Sequence, residues 1–134
     1  MAYLEDSPAI SILVPICNVE KYLDQCLKSL VNQTLRNIEI ICLNDGSTDS
    51  SLSIIQKYAE SDNRIVVVDK ENTGYGDTMN LGIRKARGKY IGIVESDDFI
   101  DPEMFENLYN LAEHNDSDIV KSNFYYYFTD LSET

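Results

Sequence analysis

Apolar residues along the chain form short, nearly continuous runs that are separated by stretches with helical spacing. The continuous runs predict strands, and apolar residues three or four positions apart predict helices. The predicted strands are residues 10–16, 38–43, 65–68, 90–94 and 119–128. The predicted helices carry apolar stripes within residues 22–31, 52–59, 79–86 and 105–111. This alternation predicts an α/β fold with a mostly parallel sheet and helices on both of its faces.

Polar residues and a glycine beside these runs predict where the helices begin and end. Asn18 is expected to cap the first helix and Asp77 the third, and Asp101 before Pro102 is expected to cap the fourth. Gly88 follows a basic segment and is expected to end the third helix in a left-handed conformation. The expected boundaries therefore depend on local capping.

The composition fits one globular domain with a hydrophobic core. The chain has 134 residues, of which 43% are hydrophobic and 10% aromatic, and this argues against disorder. The net charge of −12 argues against binding to a nucleic-acid backbone, so no nucleic-acid partner is expected. The same charge favours solubility.

The cysteines and the ends of the chain bear on the compartment. Cys17, Cys26 and Cys42 are widely spaced and form no C-x-x-C pair, so reduced thiols are expected rather than a disulfide or a zinc site. The chain starts without a signal-peptide pattern, and no apolar run approaches the about 20 residues of a membrane span. We expect a cytoplasmic protein, with attachment to the inner face of a membrane left open through regions outside this sequence.

Three carboxylates follow the fourth predicted strand within four residues. They are Glu95, Asp97 and Asp98, and Ser96 lies among them. Like charges at one site raise one another's pKa values unless a cation or hydrogen bonds compensate. Carboxylate oxygens suit magnesium or manganese, so this segment predicts a site for Mn²⁺ or Mg²⁺.

The carboxyl ends of the predicted strands indicate where a ligand would bind. In an open parallel sheet these ends share one edge, so Asp45 after the second strand is expected to lie on the same edge as the acidic segment after the fourth. The first strand is followed by P-I-C-N, which excludes a G-x-G-x-x-G dinucleotide site, and no P-loop is present. A phosphate-bearing ligand on this acidic edge would need a divalent metal between it and the carboxylates.

The order and spacing of these motifs resemble family 2 glycosyltransferases. The matching segments within residues 9–101 are P-I-C-N, N-Q-T-L, I-C-L-N-D-G-S-T-D, N-x-G and G-K-Y-I-G-I-V-E-S-D-D. The resemblance implies the GT-A fold, a Rossmann-like three-layer sandwich. It also implies a single nucleotide-sugar-binding domain over residues 1–134 that stops before the acceptor-binding half of the family.

The resemblance implies roles for residues at the donor end of the site. Asp45 matches the aspartate that hydrogen-bonds the nucleobase, usually uracil. Pro15 and Cys17 match the end of the first strand, which lines the base and the ribose. Gly74 lies in the N-x-G segment, which is expected to form a donor-binding loop.

The resemblance also implies roles for the acidic segment. Glu95-Ser96-Asp97 occupies the D-x-D position of the family, and Asp97 matches its metal-binding aspartate. Glu95 replaces the first aspartate with a longer side chain and is expected to contact the metal or the ribose. Met79 stands where many members have an arginine. No catalytic residue is assigned, because the catalytic base of the family is expected beyond Thr134.

The implied function is a metal-dependent, inverting glycosyl transfer. The donor would be a nucleotide diphosphate sugar, with UDP-sugar favoured, and the acceptor a hydroxyl of a glycan or lipid-linked saccharide in polysaccharide or cell-surface glycan biosynthesis. Two alternatives stay open from the residues: a non-catalytic nucleotide-binding module, and a metal-dependent phosphohydrolase that uses the same acidic edge.

Overall fold

Strands and helices alternate through residues 7–116, which are the residues that the computed structural model describes. The strands are β1 (Ile10–Ile16), β2 (Ile38–Asp45), β3 (Ile65–Lys70) and β4 (Tyr90–Ile93). The helices are α1 (Glu20–Val31), α2 (Ser51–Ser61), α3 (Tyr75–Lys85) and α4 (Met104–Asn115). The predicted α/β class is confirmed. The strand predicted at residues 119–128 lies outside the described residues.

The four strands form one parallel sheet in the order β3-β2-β1-β4. Leu13 in the middle of β1 pairs in register with Ile41 of β2 and Ile93 of β4. The strand order reverses between β1 and β4, and ligands of open α/β sheets bind at such a switch point, outside the carboxyl ends of the strands. The segments after β1 and β4 therefore flank the expected binding position.

The two faces of the sheet bury separate sets of side chains. Ile12 and Ile40 lie on the face that is covered by α1, α2 and α4. Leu13, Ile41 and Leu43 lie on the other face, which is covered by α3. Successive residues of a strand point to opposite faces, so each continuous apolar run supplies both layers of core. The predicted three-layer arrangement is confirmed.

Strand β4 differs from its prediction as a buried strand over residues 90–94. It ends at Ile93, and the side chains of Ile91 and Ile93 are 45% and 53% exposed. The reason is position: among the described residues β4 is an edge strand, and α3 packs mainly on β1 and β2. Only the opposite face of β4 is covered, where Gly92 lies against the ring of Phe105.

Two of the predicted helix caps are wrong because turns before the helices set the first residue. Helix α3 begins at Tyr75, after Gly74 with a φ of 99°, so Asp77 lies within the first turn. Helix α4 begins at Met104 and not after Asp101. The Asp101 carbonyl instead accepts hydrogen bonds from the Met104 N–H at 3.1 Å and from the side-chain amide of Gln33, in the loop after α1, at 2.7 Å.

Gly88 is required for a reason other than the predicted one. Helix α3 ends at Lys85, and the backbone is already extended at Ala86, so Gly88 does not terminate the helix in a left-handed conformation. A Cβ atom at Gly88 would lie 2.6 Å from the backbone nitrogen of Ser11. The glycine therefore permits the close approach of the chain to β1 just before β4 begins.

A buried carboxylate also fixes the segment before β4, where residues 87 and 88 approach β1 at the amino ends of the strands. Glu39 of β2 accepts hydrogen bonds from the Ser11 hydroxyl at 2.6 Å and from the backbone N–H and Nε of Arg87 at 2.8 and 3.0 Å. Burial alone would raise the pKa of Glu39, but the hydrogen bonds from Ser11 and Arg87 outweigh it and lower the pKa. The ionised carboxylate thus ties the entry to β4 to the centre of the sheet.

None of the helices within residues 7–116 is both long and apolar enough to cross a lipid bilayer.

Candidate functional site

The parallel sheet brings the predicted site residues to one edge. Asp45 is the last residue of β2, Cys17 directly follows β1, and Glu95 lies two residues beyond the end of β4. Because all four strands run in the same direction, these positions share the carboxyl edge. The predicted placement of Asp45 and the acidic segment on one edge of the sheet is confirmed, whereas their roles in ligand binding stay predictions.

The Asp45 carboxylate is buried and held by three donors. Its Oδ1 accepts hydrogen bonds from Lys70 Nζ at 2.7 Å and from the Thr73 N–H at 2.8 Å, and its Oδ2 accepts one from the Gly74 N–H at 3.2 Å. Burial alone would raise the pKa of Asp45. The hydrogen bonds and the charge of Lys70 outweigh it and lower the pKa, so the group is an ionised acceptor near neutral pH.

Lys70 is a site residue that the sequence reasoning missed. It ends β3 and is the register partner of Asp45 at the end of β2. Its ammonium group also donates to the hydroxyls of Thr73 and Thr78 and to the carbonyl of Glu71. Lys70 therefore fixes the loop after β3 and the start of α3. The available signal was a lysine at the end of a strand beside the strand that ends in Asp45.

Asn72 links the loops that follow three of the strands. Its side-chain amide donates to the Asp45 carbonyl at 3.1 Å and contacts Cys17 Sγ at 3.5 Å. Cys17 is exposed on this edge, and Pro15 is buried within β1, in register with Leu43 of β2. Cys17, Asp45 and the N-x-G loop are thus brought together, with Pro15 in the sheet beneath them.

The loops after β1 and β2 are joined by hydrogen bonds in both directions. Asn18, predicted as a local cap for α1, lies before the Val19 N-cap with a φ of 53°, and its Oδ1 accepts hydrogen bonds from the backbone N–H groups of Thr48 and Asp49. In return, three backbone N–H groups around the start of α1 donate to side chains after β2: Asn18 to Ser47, Val19 to Ser51, and Glu20 to Asp49. The expected local cap is wrong, because the partner is about thirty residues away in the chain.

The acidic segment is an exposed turn beside α1, where the Cys26 thiol donates to the Glu95 carbonyl at 3.7 Å. The side chains of Glu95, Asp97 and Asp98 are exposed, Ser96 is buried, and the Asp98 N–H donates to the Glu95 carbonyl at 3.0 Å. Burial, and then the charges of Asp97 and Glu95, raise the pKa of Asp98. The predicted repulsion among these carboxylates is therefore present. Burial and the charges of Asp98 and Asp97 also raise the pKa of Cys26 in α1 to about 12.

One side chain connects the acidic segment to the loop that holds Asp45. The hydroxyl of Tyr75, the first residue of α3, donates a hydrogen bond to Glu95 Oε1 at 2.8 Å. Tyr75 directly follows Thr73 and Gly74, whose backbone N–H groups contact Asp45. Three consecutive residues thus contact both ends of the candidate site.

The acidic segment by itself does not enclose a metal ion. Within residues 7–116 there is no group of at least three histidine, cysteine, aspartate or glutamate side chains placed to hold one ion. Magnesium is commonly bound by one or two carboxylates, with phosphate oxygens and waters as its other ligands. The exposed carboxylates of Asp97 and Glu95 suit that kind of incomplete, all-oxygen site.

The comparison with known sequences shows the family. The model described as "Glycosyl transferase family 2" matches residues 11–134. The chain belongs to glycosyl transferase family 2. Its relative EpsH of Bacillus subtilis (strain 168) is 44% identical over 129 residues, which are 96% of this chain and 37% of EpsH. The poly(ribitol-phosphate) beta-glucosyltransferase of Bacillus spizizenii (strain ATCC 23059 / NRRL B-14472 / W23) is 43% identical over 114 residues, 82% of this chain and 18% of that protein.

Solved structures confirm the GT-A fold of this family 2 glycosyltransferase. The crystal structure of S. aureus TarS 1-349 superposes with a TM-score of 0.75 at 32% identity, over 81% of this chain and 33% of that chain. The same TarS fragment in complex with UDP and with UDP-GlcNAc gives TM-scores of 0.71 and 0.72. The chain spans less than half the length of the curated relatives and the solved structures named here.

Proposed function

We propose that this chain is the donor-binding part of an inverting glycosyltransferase that uses a nucleotide diphosphate sugar, with UDP-sugar as the favoured donor. The observation that carries the proposal is the fixed Asp45 carboxylate on the same sheet edge as Glu95 and Asp97, in a chain of family 2. The TarS structures with UDP and UDP-GlcNAc support this donor class.

At the base end, Asp45 would accept a hydrogen bond from the nucleobase. A carboxylate offers about four lone-pair positions, and three are used by Lys70, Thr73 and Gly74. The remaining acceptor position lies on Oδ2, which has one donor within the described residues. Uracil presents an N–H that fits one acceptor. Cys17 and Pro15 would lie beside the base and the ribose.

At the other end, Asp97 would hold Mn²⁺ or Mg²⁺ together with the donor diphosphate, with Glu95 as a further ligand or a ribose contact. A metal bound there would offset negative charge on the departing diphosphate. The oxygens of the diphosphate would complete the coordination of this metal, to which the chain contributes the carboxylates of Asp97 and Glu95. Burial first, and then the charges of Asp97 and Glu95, raise the pKa of Asp98, and a cation bound there would offset the contribution of these charges.

The acceptor half of the reaction would lie outside this chain. Inversion needs a carboxylate base to deprotonate the acceptor hydroxyl, and we place that base beyond Thr134. The acceptor would be a glycan or lipid-linked saccharide in polysaccharide or cell-surface glycan synthesis, and the similarity to a poly(ribitol-phosphate) beta-glucosyltransferase supports a polymeric acceptor. Free cysteines and a nucleotide-sugar donor favour the cytoplasm, with membrane-held acceptors reached from its inner face.

Calorimetry with UDP tests this function. We expect the chain to bind UDP in the presence of Mn²⁺, to bind it much more weakly without metal, and to lose the metal-dependent part in Asp97→Asn. Glu60→Gln is the matched control, since it removes an exposed carboxylate at the end of α2, away from the carboxyl edge. Absence of UDP binding by the unmodified chain would sink the proposal. Hydrolysis of simple phosphate esters would favour a phosphohydrolase instead.

A further inference from the structure

A hydrogen bond between Tyr75 and Glu95 links the start of α3 to the acidic segment. The phenolic oxygen and Glu95 Oε1 are 2.8 Å apart. Both side chains are otherwise exposed, and that of Tyr75 is 55% exposed. A pair this exposed contributes little to folding, because solvent and side-chain entropy offset most of its energy. Its effect is therefore expected on the placement of Glu95.

Glu95 needs such placement more than a shorter side chain would. An exposed glutamate has three rotatable bonds, and its carboxylate samples many positions unless a partner restricts it. Tyr75 can restrict the Glu95 carboxylate because its own backbone is fixed. It is the first residue of α3, and it follows Gly74, whose N–H donates to Asp45. The hydroxyl fixes Oε1 of Glu95, and Oε2 accepts no hydrogen bond from any residue within 7–116, so it can contact a ligand.

We propose that Tyr75 is a positioning residue that orients the Glu95 carboxylate toward the metal and diphosphate end of the donor site. The inference rests on the proposed function. It adds that residues 73–75 couple the two ends of the site, since their backbone holds Asp45 and their last side chain holds Glu95. Tyr75 itself does not take part in the chemistry.

Tyr75→Phe tests the proposal, because it removes the hydroxyl and keeps the ring. We expect UDP to bind about two- to fivefold more weakly in the presence of Mn²⁺, as for loss of a hydrogen bond between exposed groups. Binding of uridine without metal, followed by NMR titration, should stay unchanged, because Asp45 and its donors are untouched. A merely structural role of Tyr75 in the loop would weaken both ligands together.

Two further variants make the result specific. Tyr22→Phe is the matched control, since Tyr22 is an exposed tyrosine on α1, and it should bind UDP like the unmodified chain. In a Glu95→Ala background, Tyr75→Phe should cause no additional loss. Equal UDP binding by Tyr75→Phe and the unmodified chain would overturn the inference and leave the proposed function standing. No UDP binding by the unmodified chain would overturn both.

Discussion

Lys70 and Asp45 are register partners at the ends of β3 and β2, and their side chains form an ion pair with an N–O distance of 2.7 Å. Both side chains are largely buried. The pair joins the sheet to the loop after β3, because Lys70 also contacts Thr73 and Asp45 also accepts from the backbone of that loop. Together with the backbone N–H groups of Thr73 and Gly74, the pair lowers the pKa of the residue that we propose for base recognition, against the effect of burial.

Lys70→Met should destabilise the chain. The substitution leaves a buried carboxylate without its charged partner, which costs about 1–3 kcal/mol. Urea unfolding measures the loss. Lys57→Met on the exposed face of α2 is the control and should change stability by less than about 0.5 kcal/mol.

The effect of Lys70→Met should also depend on pH. Because the pKa of Asp45 is lowered in the folded chain, the contribution of the pair to stability is complete above the unfolded pKa of about 3.9. The difference between Lys70→Met and the unmodified chain should shrink as the pH falls through the lowered pKa of Asp45.

Glu39→Gln should reduce the acid sensitivity of the fold. The pKa of Glu39 is lowered in the folded chain, so its ionised form contributes stability above about pH 4.3, the unfolded value, and loses it as the pH falls. At neutral pH the variant should be less stable by about 1–3 kcal/mol, because hydrogen bonds to a buried charge are weakened. Unfolding free energies between pH 3 and pH 7 (roughly the range set by that pKa) should give a flatter profile for Glu39→Gln. A parallel profile would show that Glu39 does not govern acid unfolding.

Gly88→Ala and Gly76→Ala should have opposite effects on stability. An added methyl at Gly88 would clash with the backbone of Ser11, so the segment before β4 must move away from β1, at a cost of about 1–3 kcal/mol. At Gly76, in the first turn of α3, no atom lies within 4 Å of the added methyl, and alanine should stabilise the helix by up to about 1 kcal/mol. Thermal unfolding of both variants tests this. Equal shifts of the unfolding temperature in both variants would contradict the predicted steric clash at Gly88.

The three cysteines should differ sharply in reactivity. Cys17 is exposed, whereas Cys26 and Cys42 are buried and burial raises the pKa of both thiols. A thiol reagent should therefore label one site rapidly in the native chain and all three only after unfolding. Cys17→Ser should abolish the rapid phase. If UDP with Mn²⁺ binds beside Cys17, it should slow this phase severalfold. Rapid labelling of a second thiol in the native chain would contradict the burial of α1 and β2.

Much of this architecture follows from local pattern alone. The apolar runs of β1 and β2 are continuous because both faces of these central strands are buried, and such runs are readable without knowledge of any partner. The same reasoning places Asp45 and Glu95 at strand ends, and parallel pairing then puts them on one edge. The family motifs lie at these strand ends, so the family was predictable together with the fold.

Contacts between distant segments were decided only by the tertiary structure. Asn18 has the residue type of a helix cap, but its acceptor oxygen binds backbone N–H groups of the loop after β2, because the loops after β1 and β2 are adjacent in space. Lys70 pairs with Asp45 because β3 lies next to β2 in the sheet and the two residues are in register. Ile93 is exposed because β4 is an edge strand among the described residues.

The physical reason is the range of the interactions. Hydrophobic periodicity reports burial of one element against any neighbour, so the sequence by itself determined the elements, their order and the edge on which the site lies. Hydrogen bonds and ion pairs need donor and acceptor within about 3 Å, so they depend on which loops meet. The donors that hold Asp45 and the Tyr75 hydroxyl that holds Glu95 were therefore visible only once the chain was folded.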